Sequence, residues 1–433
     1  MIAIAAGFCY TINITRERNN DMDSVYTFLL AEAEKIKIID THEHLQPHRN
    51  YTGDAPDFLR DYLCCYINSH LVSGGMTFQQ LKVVTDDLEK SIEERYRLVE
   101  PYLQNIRNTA YLRSWERSVR ILYGEDGINR HTIAALGEKF KAAVARPGYR
   151  KRIMREICNI DVALNDGFLD DMKEAKTELF APVWRPDGYA RPDILNPPPT
   201  FEAYLDLYKR TFLRNAAQGL ASLKIGLAYE RPIYFAEVDY KTADDIYKNY
   251  IKDEDPGKFE TPLRDYMIHY ALGLAEKAGI PVQIHTGLQE GMEITLRNSD
   301  PLLLLNLVRK YSDLTFDIFH MGYPFERELI TLAKTNTNVN IDLCWVHFLS
   351  PYAVRGAFSE MLDVVPYTKL LGFGGDFLFY DGVPGHLSLA KENICAVLAD
   401  KVAGREMTED FAVEVLRGVF RENALRVYPA LRG

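Results

Sequence analysis

The sequence predicts an α/β fold, a (β/α)8 barrel with a helical insertion after its first strand. Three observations carry this. Eight short apolar runs alternate with stretches of helical period, one interval of about a hundred residues interrupts that alternation, and histidines and carboxylates gather where the apolar runs end. At 433 residues, 47% hydrophobic and 26% charged, the chain is long enough for one domain of that size.

Residues 1–35 are expected to form a leader and a helix ahead of the barrel. "MIAIAAGFCYTINI" is apolar but too short to span a bilayer, and no basic residue precedes it. It reads as a leader or an over-extended start with Met22 as the true initiator, a cleaved signal being the alternative. The barrel, 36–433, opens with the strand "IKIIDTHEH". Before residue 157 come "APDFLRDYLCCYINSHL", "LEKSIEERYRLVEPYLQNIRNTAYLRSWERSVRILYG" and "HTIAALGEKFKAAVAR", helical in period and rich in Tyr and Arg. One strand-to-helix connection needs far fewer residues, so 50–150 are expected to form a helical cap over the barrel mouth.

The remaining strands follow in order. "NIDVAL" (159–164) and "TELFAPVW" (177–184) come first, the second leading through a Pro-rich loop to the helix "FEAYLDLYKRTFLRNAAQ". "LASLKIGLAY" (220–229) is next, then the helix "LRDYMIHYALGLAEKAG", whose final Gly suits a C-cap. "IPVQIHTG" (280–287), "LTFDIFHMG" (314–322), "NVNIDLCW" (338–345) and "KLLGFGGDF" (369–377) complete the set of eight, and two further helical stretches close the barrel.

Alternate side chains of a strand share a face, so Asp40, His42 and His44 are expected to point into the barrel and Ile39, Thr41 and Glu43 away from it. His285 ends the fifth strand, His320 the sixth and Asp376 the eighth, at the rim where such barrels display catalytic groups. An isolated His-x-His pair is as well explained by hydrogen bonding, but delivery of such groups from four strands to one rim is not. Neutral imidazoles with a carboxylate are the donors Zn²⁺ prefers, and a catalytic zinc keeps a position for water. Asp376 could bind the ion, take a proton from its water, or do both.

"DTHEHL", "QIHTG", "FHMGYP" and "GGDF", in this order and spacing, resemble the amidohydrolase superfamily of metal-dependent barrel enzymes over residues 36 to about 380. The resemblance implies that His42, His44 and Asp376 bind a divalent metal and that His285 is a ligand or contacts substrate. It implies that His320 holds a second ion or donates a hydrogen bond to the reacting group. The similarity is greatest to the amidohydrolase 2 group. "SLKIGLAYER", "PVQIHTG" and "HMGYPF" are similar to the amidohydrolase-like domain fused to some glutamine synthetases, and the long insertion resembles that of uronate isomerases.

By strand parity Lys224 points inward with Ser222 and Gly226. Binuclear members of the family use a carboxylated lysine on the fourth strand to bridge two metals. The alternative, preferred here, is an ammonium paired with Asp161 or with an anionic substrate, and hence one ion per chain. Arg185 and Arg231, just past the third and fourth strands, stand where a substrate carboxylate could be clamped. His48, Arg49 and Tyr323 are further candidate substrate contacts, and Tyr229 and Trp345 candidate pocket walls. Asp342 is a candidate to hold a ligand histidine in its tautomer. His70, His131, His269 and His386 lack strand-end placement and read as structural.

The expected function is therefore hydrolysis by the amidohydrolase route, metal-bound water attacking a C–N or C–O bond of a small anionic metabolite. Asp376, His320 and His285 would be the catalytic groups. The alternatives are a uronate-isomerase-like or decarboxylase-like reaction on a sugar acid or carboxylate, and a barrel that binds a metabolite without chemistry. With 51 basic against 61 acidic residues and a net charge of -10, nucleic acid and anionic membranes are not expected partners. No GxSxG elbow or dinucleotide fingerprint is present. Six scattered cysteines read as reduced, which fits the cytoplasm, and a homo-oligomer is expected.

Overall fold

In each barrel strand apolar residues alternate with polar ones, and the two sets go to different places. Val282 and Ile284 are buried in the main core against the helices, whereas Gln283 between them bonds to groups inside the barrel. The computed structural model describes residues 22–63, 66–167, 169, 171–189, 196–252 and 260–432, and the expected leader, 1–21, lies outside them.

A helix over 22–35 precedes eight strands. These are β1 (Ile38–Glu43), β2 (Ile160–Asn165), β3 (Phe180–Trp184), β4 (Ser222–Ile225), β5 (Val282–Ile284), β6 (Phe316–Ile318), β7 (Val339–Asp342) and β8 (Leu370–Leu371). They pair in parallel in sequence order. The segment after β8 closes the barrel against β1: Thr41 N–H donates to Phe373 O at 3.0 Å, Asp376 N–H to His42 O at 2.9 Å and His44 N–H to Phe377 O at 3.0 Å. The predicted (β/α)8 barrel is present. Its strands are shorter than the apolar runs suggested, because the outer residues of those runs pass into rim loops and 3-10 turns.

Between β1 and β2 lie the helices Phe58–Leu63, Ile67–Ser73, Phe78–Asp86, Ile92–Asn105, Ala110–Tyr123 and Ile133–Val144. Their starts are written locally. Thr77 with Gln80 and Ser91 with Glu94 form capping boxes that satisfy otherwise orphaned amides. Helix Ala110–Tyr123 lies along helix Gly382–Ala403, with Arg117 paired to Glu392 and Gly385 N–H donating to Ser118 Oγ at 3.0 Å. A Cβ on Gly385 would stand 2.0 Å from the Ser114 carbonyl, so this approach requires glycine.

Inside the barrel, Ile39, Leu164, Val183, Ala221 and Leu371 pack with Ala424, Val427 and Tyr428, which plug its floor. The inward set therefore begins with Ile39, contrary to simple alternation. The β1–β2 register shifts between Asp40 and Glu43, so alternation does not run through the strand. Asp40 instead accepts from Gly375 N–H at 3.2 Å and bonds to Glu43.

Candidate metal centre

Pairing of the chain after β8 with β1 is what brings Asp376 to the two β1 histidines. His44 Nε2 lies 3.2 Å and His42 Nε2 3.5 Å from Asp376 Oδ1, and His320 Nε2 lies 3.9 Å from Oδ2. The approach is close. A Cβ on Gly375 would be 1.9 Å from Glu43 Oε1, and one on Gly374 2.7 Å from Cys344 Sγ, which is why two glycines precede the aspartate. His320, Met321, Trp345 and Asp376 all adopt left-handed φ between 57° and 69°. For such residues this costs roughly 1–3 kcal/mol each, and strain of this kind gathers at functional sites.

The proton on each imidazole can be placed from the group that faces it. Nδ1 of His44 faces Asp166 O at 2.8 Å and Nδ1 of His320 faces Cys344 O at 3.0 Å, and a carbonyl can only accept. Both therefore carry a proton on Nδ1, and His320, which burial keeps neutral, has its lone pair on Nε2. His285 is reversed: its Nε2 donates to Leu288 O at 3.1 Å, leaving the lone pair on Nδ1, 3.0 Å from His320 Nε2. His42 Nε2 and His44 Nε2 stand 3.3 Å apart. Burial pushes His42 and His285 well below the usual imidazole range and His320 down to about 4, so these rings are neutral near pH 7. Burial opposes the charge on Asp376, but His44 and the surrounding imidazoles hold its carboxyl well below its ordinary range.

Among the described residues, two groups of three offer ligand atoms within 4.8 Å of one another: His42, His44 and Asp166, and His320, Cys344 and Asp376. Imidazole and carboxylate suit a divalent transition metal. The Cys344 thiol is pushed up by burial and by the Asp376 charge, and the Asp166 carboxylate bonds to Arg185, so neither is as ready a donor as His42, His44 and Asp376.

A cavity of about 300 Å³ opens at these groups, its walls including His44, His285 and Asp376 together with Arg185, Lys224, Tyr229, Tyr66 and Glu290. Lys224 reaches it from β4, its ammonium 3.5 Å from the centre of the Phe319 ring, and burial lowers it to about 8. Asp161 is not its partner, because that carboxylate pairs with Arg155 and Arg421 at 3.1 and 2.9 Å.

Other candidates lie elsewhere. Arg231 pairs with Asp265 at 2.7 Å and donates to Tyr234 O, so its guanidinium is spent outside the cavity. His48 and Arg49 line a neighbouring hollow, with Arg49 bonded to Gly53 O at 2.7 Å. Tyr323 is not among the cavity walls and offers its carbonyl to Leu288 N–H at 2.6 Å. Asp342 holds no histidine: it accepts from Cys344 N–H at 2.8 Å and sits beside Asp317. Trp345 is buried behind the site, its ring 5.2 Å from that of His320. His269 bonds to Tyr311 and Phe235 O, and His70 packs on Tyr111.

Four residues of the site escaped the sequence reading. Asp166 sits just past β2, where the strand-end rule would have found it, and Gln283 precedes His285 by two residues on the same strand. Tyr66 and Glu290 come from the insertion and the loop after β5, where no periodicity marks them. His347, buried and donating to Gly372 O at 2.8 Å, was likewise overlooked and stands outside the cavity.

Residues 251–430, from before β5 past β8, match the family model Amidohydro_2, described as Amidohydrolase. Protein fluG of Emericella nidulans is 30% identical over 179 residues, 39% of this chain and 20% of that protein, so the chain matches a fifth of that relative's length. Among solved structures, glucuronate isomerase from Caulobacter crescentus has a TM-score of 0.75 at 17% identity, covering 94% of both chains. Uronate isomerase from Thermotoga maritima has a TM-score of 0.76 at 12% identity, over 94% of this chain and 97% of that one. A Lactobacillus casei protein described as a metal-dependent hydrolase has a TM-score of 0.63 at 15% identity, over 92% and 96%. At these identities the likeness is one of fold, and it runs through the insertion as well as the barrel. Among the described residues no helix is long and apolar enough to cross a membrane.

Proposed function

We propose that this protein is a divalent-metal enzyme, most readily a zinc enzyme, that hydrolyses a C–N or C–O bond of a small metabolite carrying a carboxylate. One observation supports this above the rest. His285 Nδ1 and His320 Nε2 face each other at 3.0 Å, and each has given its proton side to a backbone carbonyl. Two lone pairs so close repel unless a cation lies between them. A proton is a poor solution there, since burial holds both rings neutral. A bound divalent ion would supply Lewis acidity, polarising a substrate carbonyl and making water nucleophilic near neutral pH.

The chain's own groups divide the remaining work. His42, His44 and Asp376 would hold the ion, with His285 and His320 beside it. Asp376, ionised and at the cavity wall, accepts the proton of the attacking water and returns it to the leaving group. Lys224 and Arg185 provide positive charge at the wall of the same cavity, where a substrate carboxylate is drawn. A single ion per chain is proposed, with Lys224 as an ammonium.

A second reading is isomerisation of a sugar acid, favoured by the likeness to uronate isomerases over 94% of the chain. Incubating the metal-replete protein with a panel of carboxylate-bearing amides, lactones and uronates, with product masses read by mass spectrometry, separates the two. Hydrolysis adds the mass of water and isomerisation leaves mass unchanged. Elemental analysis should find about one ion per chain. Full activity and full metal content in His42→Ala would overturn the assignment of a metal enzyme.

A further inference from the structure

We propose that Gln283, held from the barrel floor by Tyr428, sets the proton position on His42 and is thereby a positioning residue of the metal centre. The inference rests on the metal reading above, and the geometry beneath His42 carries it further. Gln283 Nε2 lies 2.9 Å from Thr41 O and 2.9 Å from Tyr428 Oη, and its Oε1 lies 3.2 Å from His42 Nδ1. Tyr428 Oη in turn donates to Asp317 Oδ2.

The direction of every bond in this chain is determined. Thr41 O can only accept, so the amide must turn its NH2 towards it and its oxygen towards His42. The hydroxyl of Tyr428 gives its one proton to Asp317 and must therefore accept from Gln283, which orients the amide a second time. An amide oxygen cannot donate, so His42 Nδ1 carries the proton and Nε2 presents its lone pair to Asp376 and His44. His44 and His320 likewise have their Nδ1 protons placed by backbone carbonyls. His42 alone of the three depends on a side chain, and through it on Tyr428, which follows the helix Asn423–Val427. Gln283 and Tyr428 are both fully buried, so no water competes for these bonds.

The test measures zinc affinity of the full chain by competition with a chelating dye. Gln283→Met removes the oxygen that His42 needs and should weaken zinc binding about 10- to 100-fold. Gln283→Glu keeps an oxygen there and should lie nearer to the parent, while Tyr428→Phe should show a smaller loss in the same direction as Gln283→Met. Val427→Ala, a neighbour in the floor cluster outside the network, controls for loosening of the plug and should lower Tm without changing affinity. In the metal-free protein, ¹⁵N spectra of the histidine rings should show one imidazole passing from the Nδ1–H form to a mixture in Gln283→Met. Parent-like affinity in Gln283→Met, or a Tyr428→Phe loss no larger than that of Val427→Ala, overturns the inference and leaves the metal reading standing. A parent chain that binds no divalent ion overturns both.

Discussion

Asp376 and Asp381 lie five residues apart on the loop between β8 and helix Gly382–Ala403, both carboxylates are buried, and they are surrounded in opposite ways. Asp381 accepts hydroxyl protons from Tyr62 at 3.0 Å and Tyr123 at 2.5 Å, and from Tyr149. All three tyrosines come from the segment between β1 and β2, so the carboxylate fastens that segment to the barrel. Around Asp376 stand imidazole nitrogens instead, Nε2 of His44, His42 and His320 at 3.2, 3.5 and 3.9 Å. A buried carboxylate ringed by donors is structural because its desolvation is already offset. One set among imidazoles at a cavity wall belongs to the donor set a divalent cation takes, and it marks the place where chemistry is expected.

The largest effect should separate the two most sharply. Asp376→Asn is expected to lower turnover about 10³-fold or more and to reduce bound zinc, while the metal-free protein unfolds at the parent's Tm or above it. A marked fall in that Tm would break the contrast. Asp381→Ala should do the reverse. It strands three buried hydroxyls and is expected to cost about 3 kcal/mol of stability, read by urea denaturation, with zinc affinity retained.

Lys224 sharpens the comparison from the cationic side of the cavity. Burial lowers it to about 8, against about 10.4 in an unfolded chain. At pH 7 it is charged in both states, and the native state carries the cost of the buried ammonium. Between about pH 8 and 10.4 only the unfolded chain keeps the proton, so the parent gains stability as pH rises. Lys224→Met should therefore be more stable than the metal-free parent by about 3 kcal/mol at pH 7, a difference that shrinks as pH passes 8 and approaches 10. A constant difference across that window would refute a buried charge. The smallest effect is expected of Arg185→Gln, which should raise KM for a carboxylate substrate about tenfold with little change in kcat. Equal falls in kcat and kcat/KM would move Arg185 from substrate binding to the transition state.

Much of the architecture was legible because strands and helices write themselves locally. The runs at 280–287 and 338–345 are apolar on one parity and polar on the other, and that pattern reports which face meets the helices. His42, His44, His285, His320 and Asp376 stood out because barrel strands deliver their C-terminal ends to one rim. Parity within β1 was misleading because the register shifts there, an event no alternation rule contains. Arg185 and Arg231 had equal standing as rim arginines. Only the fold shows that Asp166 holds one beside the cavity and Asp265 holds the other outside it.

The sequence by itself determined the barrel, the order of its strands and the residue types at its rim, because these depend on periodicity and on short motifs. Only the tertiary structure decided which nitrogen of each imidazole carries a proton. That follows, for His42, His44 and His320, from an amide and carbonyls contributed by residues well separated in the chain, Gln283, Asp166 and Cys344, whose approach is set by closure of the barrel. The same closure placed Tyr66 and Glu290 at the cavity wall. A donor or acceptor is defined by what faces it, and what faces it is a property of the fold.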